Sequence, residues 1–373
     1  MIYFDSAATT LKKPKQVHDA VKFAMKSLSS PGRGQYKSSE KASEVLYSCR
    51  EKAAKLFNLK EPDNVVFTFN ATHGLNIAIN SLADENSKVV VSGYEHNAVR
   101  RPLRHLGSNI NILRTPLFNR DAAVDVFQKA VTKDTDLVVC TAMSNVFGYI
   151  LPIYEIAEIC KTNNVPLIID ASQGAGVLNL DFEKLGAAFM AMPGHKGLYG
   201  PQGTGILLCS QNIKPLILGG TGGNSKLMYM PDFLPDAGEA GTHNMPGIAG
   251  LAAGLDFVMK TTTDKIMQHE RNMIDRCVKT LEKYNDIEVF YSADGNLQGG
   301  VLSLRHKNIE ANSFASMLAS KGVCVRAGLH CAPTAHETVG TIDEGTVRIS
   351  FSAFSQMREI DEFSRIIESV INA

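Results

Sequence analysis

VPLIIDASQGAG at positions 165–176 and FMAMPGHKGLYGPQGTGIL at positions 189–207 decide the fold. Val165, Pro166, Leu167, Ile168 and Ile169 have the unbroken apolar character of a strand buried on both faces, and the run ends in Asp170. A carboxylate at a buried strand end is costly without a cation. A second apolar run, 187–192, empties into Pro193, Gly194, His195, Lys196 and Gly197, so a lysine sits in a Gly-rich turn at another strand end. Ligands of open α/β sheets collect outside the carboxyl ends of the strands, which predicts that Asp170 and Lys196 face one crevice. Two readings fit the pair. One is a surface lysine and a helix-capping aspartate, the other a bound cofactor that needs one acid and one amine, and spacing alone does not choose between them.

Working outward, 373 residues suit one large and one smaller domain with ample material for a core. The 38 basic and 38 acidic side chains balance, which leaves no electrostatic footprint for nucleic acid or an anionic membrane. No apolar run reaches the roughly 18 residues of a membrane span, and MIYFDSAATT lacks the pattern of a secretory leader. A soluble cytoplasmic enzyme is expected. The seven cysteines are odd in number and form no C-x-x-C pair, against both a disulfide framework and a zinc site, so reduced thiols and no metal are expected.

Pro14 opens a helix to about residue 28, and the 30–34 segment breaks it, placing Arg33 and Tyr36 on a loop. Ser38 or Ser39 is expected to cap the next helix. The strand 65–69 feeds Asn70, Ala71, Thr72 and a helical run from 75 to 82, a turn whose free N–H groups suit a phosphate. Further strands at 88–92 and 136–141 end beside His96 and Asn145, residues that by themselves read as a first-turn polar group and a turn former. Strand and helix alternate throughout, the pattern of a doubly wound, mainly parallel sheet in an α/β fold. The glycines of the 218–223 loop lack a G-K-[ST] ending and do not make a P-loop. A long helical stretch from Gly247 is expected to cross between domains, giving a large domain at 15–258 and a small α+β domain at 259–373, with residues 1–14 packed against the latter. The small domain is expected to have strands near 287–291, 300–304, 322–326 and 347–351.

Pyridoxal phosphate (PLP) meets the cofactor reading: a lysine amine forms its Schiff base, and a carboxylate keeps its pyridine nitrogen protonated so that the ring accepts electrons. DASQ at 170–173, GHK at 194–196 and GPQGTG at 200–205 together resemble the class V family of PLP-dependent aminotransferases, and within it the cysteine desulfurases. The resemblance runs from FDSAATT at 4–10 to TVRISFS at 346–352 and implies the PLP-dependent transferase fold type I. It implies that Lys196 carries PLP and Asp170 pairs with its ring nitrogen. His96 of EHNA would stack on the ring, Asn145 of SNV would lie beside cofactor and substrate, and Gln173 would bond the ring hydroxyl. Ala71, Thr72 and His195 would hold the phosphate. Thr242 of EAGT (239–242) would reach the phosphate of a neighbouring subunit, which implies a homodimer. Pro193 stands where many desulfurases carry a serine.

RAGLHCA at 326–332 discriminates within the family. Cys331 follows a Gly-containing turn and precedes Ala332-Pro333, which puts it on a loop, whereas the other six cysteines lie in apolar segments where a thiol is a small buried hydrophobe. His330 and Arg326 are near enough in sequence to lower its pKa if they point toward it. The motif resembles the desulfurase segment whose cysteine receives sulfur. Arg348 sits opposite the apolar face of 347, 349 and 351, which suits either a surface arginine or a carboxylate clamp, and the resemblance makes it the substrate-carboxylate arginine, with Arg326 nearby. The implied reaction is removal of sulfur from L-cysteine, giving alanine and a Cys331 persulfide for an acceptor protein or thiol. The alternatives are selenocysteine lyase on L-selenocysteine, transamination or β-elimination by the same cofactor, and an inactive scaffold that binds a sulfur carrier.

Overall fold

The computed structural model describes residues 1–32, 34–222 and 226–371. Arg33 and Gly223, both expected on loops, lie outside the described residues. The chain starts with a two-residue strand, β1 (Ile2–Tyr3), and helices α1 (Lys15–Ser27) and α2 (Lys37–Phe57). Strand and helix then alternate: β2 (Val65–Thr68), α3 (Ala71–Leu82), β3 (Lys88–Ser92), α4 (Asn97–Leu106), β4 (Asn109–Leu113), α5 (Arg120–Ala130), β5 (Leu137–Thr141), α6 (Ile153–Asn163), β6 (Leu167–Asp170), α7 (Phe182–Leu185), β7 (Phe189–Pro193) and β8 (Gly205–Cys209). Among the described residues β2 to β8 form one sheet in the order β2-β8-β7-β6-β5-β3-β4. β3 to β7 pair in parallel, and β8 runs antiparallel to both β2 and β7. The carboxyl ends of β2, β3, β5, β6 and β7 therefore share one edge, and the strand order reverses between β3 and β5.

Both faces of its inner strands are covered, which is why they read as apolar runs, whereas edge strand β4 alternates exposed Asn with half-buried Ile. Val66, Val91, Val139, Ile168, Ala191 and Leu207 pack with α3 and α4 on one face. Val65, Val90, Val138, Ile169, Met190 and Leu208 pack with α2, α6 and the later helix at Met245–Thr261 on the other. Each such fully buried Val, Ile or Leu contributes roughly 1.5–3 kcal/mol.

The remaining elements are α8 (Met245–Thr261), α9 (Thr263–Leu281), β9 (Ile287–Phe290), β10 (Val301–His306), α10 (Ala311–Ser320), β11 (Val323–Cys324), β12 (Arg326–Gly328), α11 (Pro333–Val339), β13 (Thr346–Ser350) and α12 (Met357–Ile371). β12, β13, β10 and β9 make an antiparallel sheet, and Leu302, Leu304, Val347 and Ile349 on one of its faces share a core with α9, α10 and α12. Phe4 enters that core edge-on to Phe351 and Phe363, at 5.0 and 5.7 Å.

Three local expectations are corrected. The second helix is not capped by Ser38 or Ser39: Tyr36 holds the cap position without a side-chain bond, and buried Ser39 instead donates to Ser30 O and accepts from Gly34 N–H. The helical stretch after Gly247 is two helices, because Thr262 adopts φ 74° and its side chain accepts from Lys265 N–H to start the second. The strand expected at 322–326 is split between two sheets, β11 pairing in parallel with β1 and β12 with β13.

Candidate active site

At the shared carboxyl edge lies a cavity lined by residues from every one of those strand ends, Thr72, His96, Asn145, Asp170, Gln173, His195 and Lys196 among them. Ala71 and Thr72 belong to the first turn of α3, which begins earlier than the periodicity suggests. Asn70 caps it by accepting from His73 N–H at 2.9 Å, and the N–H groups of Ala71 and Thr72 have no partner among the described residues. His96 caps α4, its Nδ1 accepting from Ala98 N–H at 3.0 Å, which leaves the ring proton on Nε2. Burial holds His96 below the usual histidine range, with Asp170 opposing and Lys196 reinforcing, so the ring is a neutral plate at the cavity wall. Asp170 is buried and accepts from Ser172 N–H at 2.9 Å through Oδ1, while Oδ2 has no hydrogen-bond partner among the described residues. No helix follows Asp170, whose Oδ1 closes a turn, so the helix-capping reading is overturned and Oδ2 is the oxygen left for a cofactor. Burial lowers the Lys196 amine to about 8, Asp170 opposing and Arg348 and Arg326 adding to the effect.

The second sheet contributes Arg348, 2% exposed, which donates to Asn145 O at 2.9 Å and to Asp5 Oδ1 at 2.8 Å, while its buried Nε has no partner among the described residues. Asn145 also donates through Nδ2 to His330 O at 2.8 Å, and Cys331 O accepts from Asn97 N–H at 2.7 Å. His330 and Cys331 both adopt left-handed backbone, φ 50° and 57°, a conformation that costs about 1–2 kcal/mol per non-glycine residue. That double turn lifts Cys331 to the surface next to His96 and Asn97. Of the seven cysteines it is the exposed one, five being buried and Cys324 half-buried. His330 turns inward and bonds Thr346 through Nε2, and burial keeps it well below the usual histidine pKa, so it supplies no positive charge beside Cys331 as its sequence position suggested. Arg326 is exposed and does not line the cavity. Thr242 lines a separate cavity, with Phe67, Phe69, His73 and Asn244. Among the described residues no group of three or more His, Cys, Asp or Glu could hold a metal ion, and no helix is long and apolar enough to cross a membrane.

The family model for class V aminotransferases matches residues 2–363. The chain belongs to that family. Within it, a probable cysteine desulfurase of Methanothermobacter thermautotrophicus is 31% identical over 99% of this chain and 94% of its own length. One of Pyrococcus abyssi is 30% identical over 100% and 95%. The apo structure of the cysteine desulfurase of Thermococcus onnurineus superposes with a TM-score of 0.92 at 27% identity, covering 100% of this chain and 94% of that one. The chain is thus a cysteine desulfurase-type class V aminotransferase, and the family depends on PLP in general.

The residues around the cavity fit that cofactor. A free carboxylate oxygen on Asp170, an amine of lowered pKa on Lys196 and unpaired N–H groups at the start of α3 supply an acid, a nucleophile and an anion pole. Sequence reading missed the part this desulfurase-type chain gives to its N-terminal segment. Asp5 pairs with Arg348, and Ala7 accepts from Gln173 Nε2 at 3.0 Å and donates to Ser350 Oγ at 2.8 Å. Thr9, Thr10 and Lys13 bond His195, and Thr10 also bonds Lys196 O. FDSAATT was the available signal, yet nothing in its spacing says which partners it meets. Glu95 was also missed: fully buried, it accepts from Ser92 Oγ and, at 2.7 Å, from Thr141 N–H, tying β3 to β5 behind His96.

Proposed function

We propose that this chain holds PLP in the cavity around Lys196 and removes sulfur from L-cysteine, with Cys331 as the sulfur-accepting thiol. The observation that carries the reading is the exposed Cys331 on its left-handed turn beside that cavity, since transamination needs no such thiol. When bound, PLP supplies an electron sink for charge developing at the substrate Cα. Asp170 holds the ring-nitrogen proton, His96 lies against the ring, and Gln173 bonds its hydroxyl. Ala71, Thr72 and His195 bind the phosphate. Arg348, steadied by Asn145 O and Asp5, takes the substrate carboxylate with its unpaired Nε. Lys196 carries the proton from Cα. The Cys331 thiolate attacks the substrate sulfur: an S–S bond forms, the Cβ–S bond breaks, and its electron pair takes a proton to complete the methyl group of alanine. The sulfur is oxidised to the persulfide level and Cβ reduced by the same pair, so no external oxidant or reductant enters.

The division between domains is proposed to fall at Thr262, where α8, packed on α1 and α2, gives way to α9, packed on α12. Thr242, away from its own chain's cavity, supports a homodimer in which it serves the partner's phosphate. An acceptor protein or thiol would collect the persulfide, and the seven free thiols favour the cytoplasm. The test is to incubate purified protein with L-cysteine and a reductant and to measure alanine and sulfide. Equal amounts are expected, and Cys331→Ser should lower both roughly a hundredfold or more while keeping bound PLP. Undiminished sulfide release by Cys331→Ser would remove the thiol from the mechanism.

A further inference from the structure

His195 precedes the lysine and lines the cavity, and its ring is held from behind by the N-terminal segment. Thr9 Oγ1 lies 3.1 Å from His195 Nδ1 and 3.3 Å from His195 O. The hydroxyl has one proton to give. That carbonyl is already served by Thr10 N–H at 3.1 Å and Lys13 Nζ at 2.9 Å, which fill its two lone pairs, and Thr10 Oγ1, with Lys196 O as its other acceptor, lies 3.1 Å away. The ring nitrogen is the nearer and less contested acceptor. Nε2 has no partner among the described residues.

We propose that Thr9 is a positioning residue for His195: its hydroxyl donates to Nδ1 and keeps the imidazole proton on Nε2, where an uncharged ring donates to an anionic oxygen in the cavity. Burial, followed by the charges of Lys196 and Lys13, pushes His195 down to about 4, so at neutral pH the ring carries one proton and its location decides what the ring does. On Nδ1 the proton would leave a lone pair facing the phosphate, a repulsive contact in place of a charge-assisted hydrogen bond. The brace is thus more specific than a general clamp. Thr10 and Lys13 fix the backbone of the turn, and Thr9 alone among them reaches the ring.

The proposal rests on the PLP reading for its ligand, not for its tautomer. Two measurements separate the two. Imidazole ¹⁵N spectra of the protein with and without PLP, with His195 assigned by its loss in His195→Gln, should show the proton on Nε2 in both forms. PLP titration of apoprotein should give a dissociation constant about tenfold larger for Thr9→Val than for wild type, with Thr9→Ser within about twofold of wild type. Should Thr9→Val not fold, the wild-type spectrum and the Thr9→Ser titration still decide. A proton on Nδ1 in wild type, or Thr9→Val binding PLP as tightly as wild type, overturns the role of Thr9. Wild type that binds no PLP while its spectrum shows Nε2–H overturns the cofactor reading and leaves the tautomer assignment standing.

Discussion

Lys196 illustrates how one side chain converts position into reactivity. Its amine is enclosed, and that enclosure lowers its pKa to about 8 against the pull of Asp170. Only the neutral amine adds to a carbonyl, and at pH 7 about one molecule in ten carries it, against fewer than one in a thousand for an ordinary lysine. The rate at which apoprotein captures PLP should therefore rise about tenfold per pH unit below roughly pH 8 and level off above it. Stopped-flow absorbance at fixed PLP reads this directly. A rate still climbing tenfold per unit between pH 9 and 10 would mean the amine behaves as a solvated one.

The turn bearing Lys196 is set by an approach of two loops that only glycine permits. Gly176, at φ 82°, would place a Cβ 2.1 Å from Gly197 O, and a Cβ on Gly197 would come 2.3 Å from Ala175 O. Gly186, at φ 59°, has open space around it. Gly186→Ala should cost the backbone penalty alone, about 1–2 kcal/mol, whereas Gly176→Ala should cost roughly 3 kcal/mol or more and weaken PLP retention. Urea unfolding of the pair measures the difference, and equal losses would show that the close approach does not bear on the turn. This contact also marks what the sequence makes legible. The strands β5, β6 and β7 are readable because burial on both faces leaves no polar position in them, and the residues at their ends follow. Asp5, Thr9 and Lys13 are not readable, since their partners Arg348 and His195 lie more than 180 residues away and the segment has no period. The break at Thr262 is partly readable, because Lys260 to Lys265 interrupt the apolar spacing with a run of cap-forming threonines and an aspartate.

Across the whole molecule the buried ionisable groups oppose one another in a way that shapes stability against pH. Glu95 and Glu270 are buried and pushed up to about 8. The cause is chiefly burial, with Ser92 opposing it at Glu95. Unfolded, a glutamate titrates near 4.3, so between that value and 8 the folded state binds more protons and stability falls as pH rises. His195 and His336 are held down to about 4, chiefly by burial, so between 4 and about 6.5 the unfolded chain binds more protons and stability rises with pH. The two effects offset each other in acid, and above about pH 6.5 the acids act alone; from about pH 8 Lys13 and Lys196, both lowered to about 8 chiefly by burial, favour the fold while the buried thiols of Cys49, Cys160 and Cys277, pushed up to about 12 by burial, and of Cys140 and Cys209, also raised by burial, oppose them. Apoprotein should consequently have a Tm several degrees lower at pH 8 than at pH 6.5. The double variant Glu95→Gln, Glu270→Gln, whose amides do not titrate, should lose the fall between pH 6.5 and 8. Calorimetry of both proteins across that range decides the point, because an unchanged slope in the double variant would mean that these carboxyls are already ionised in the fold and that the polar groups around them, Ser92 and Thr141 at Glu95, are strong enough to keep them so.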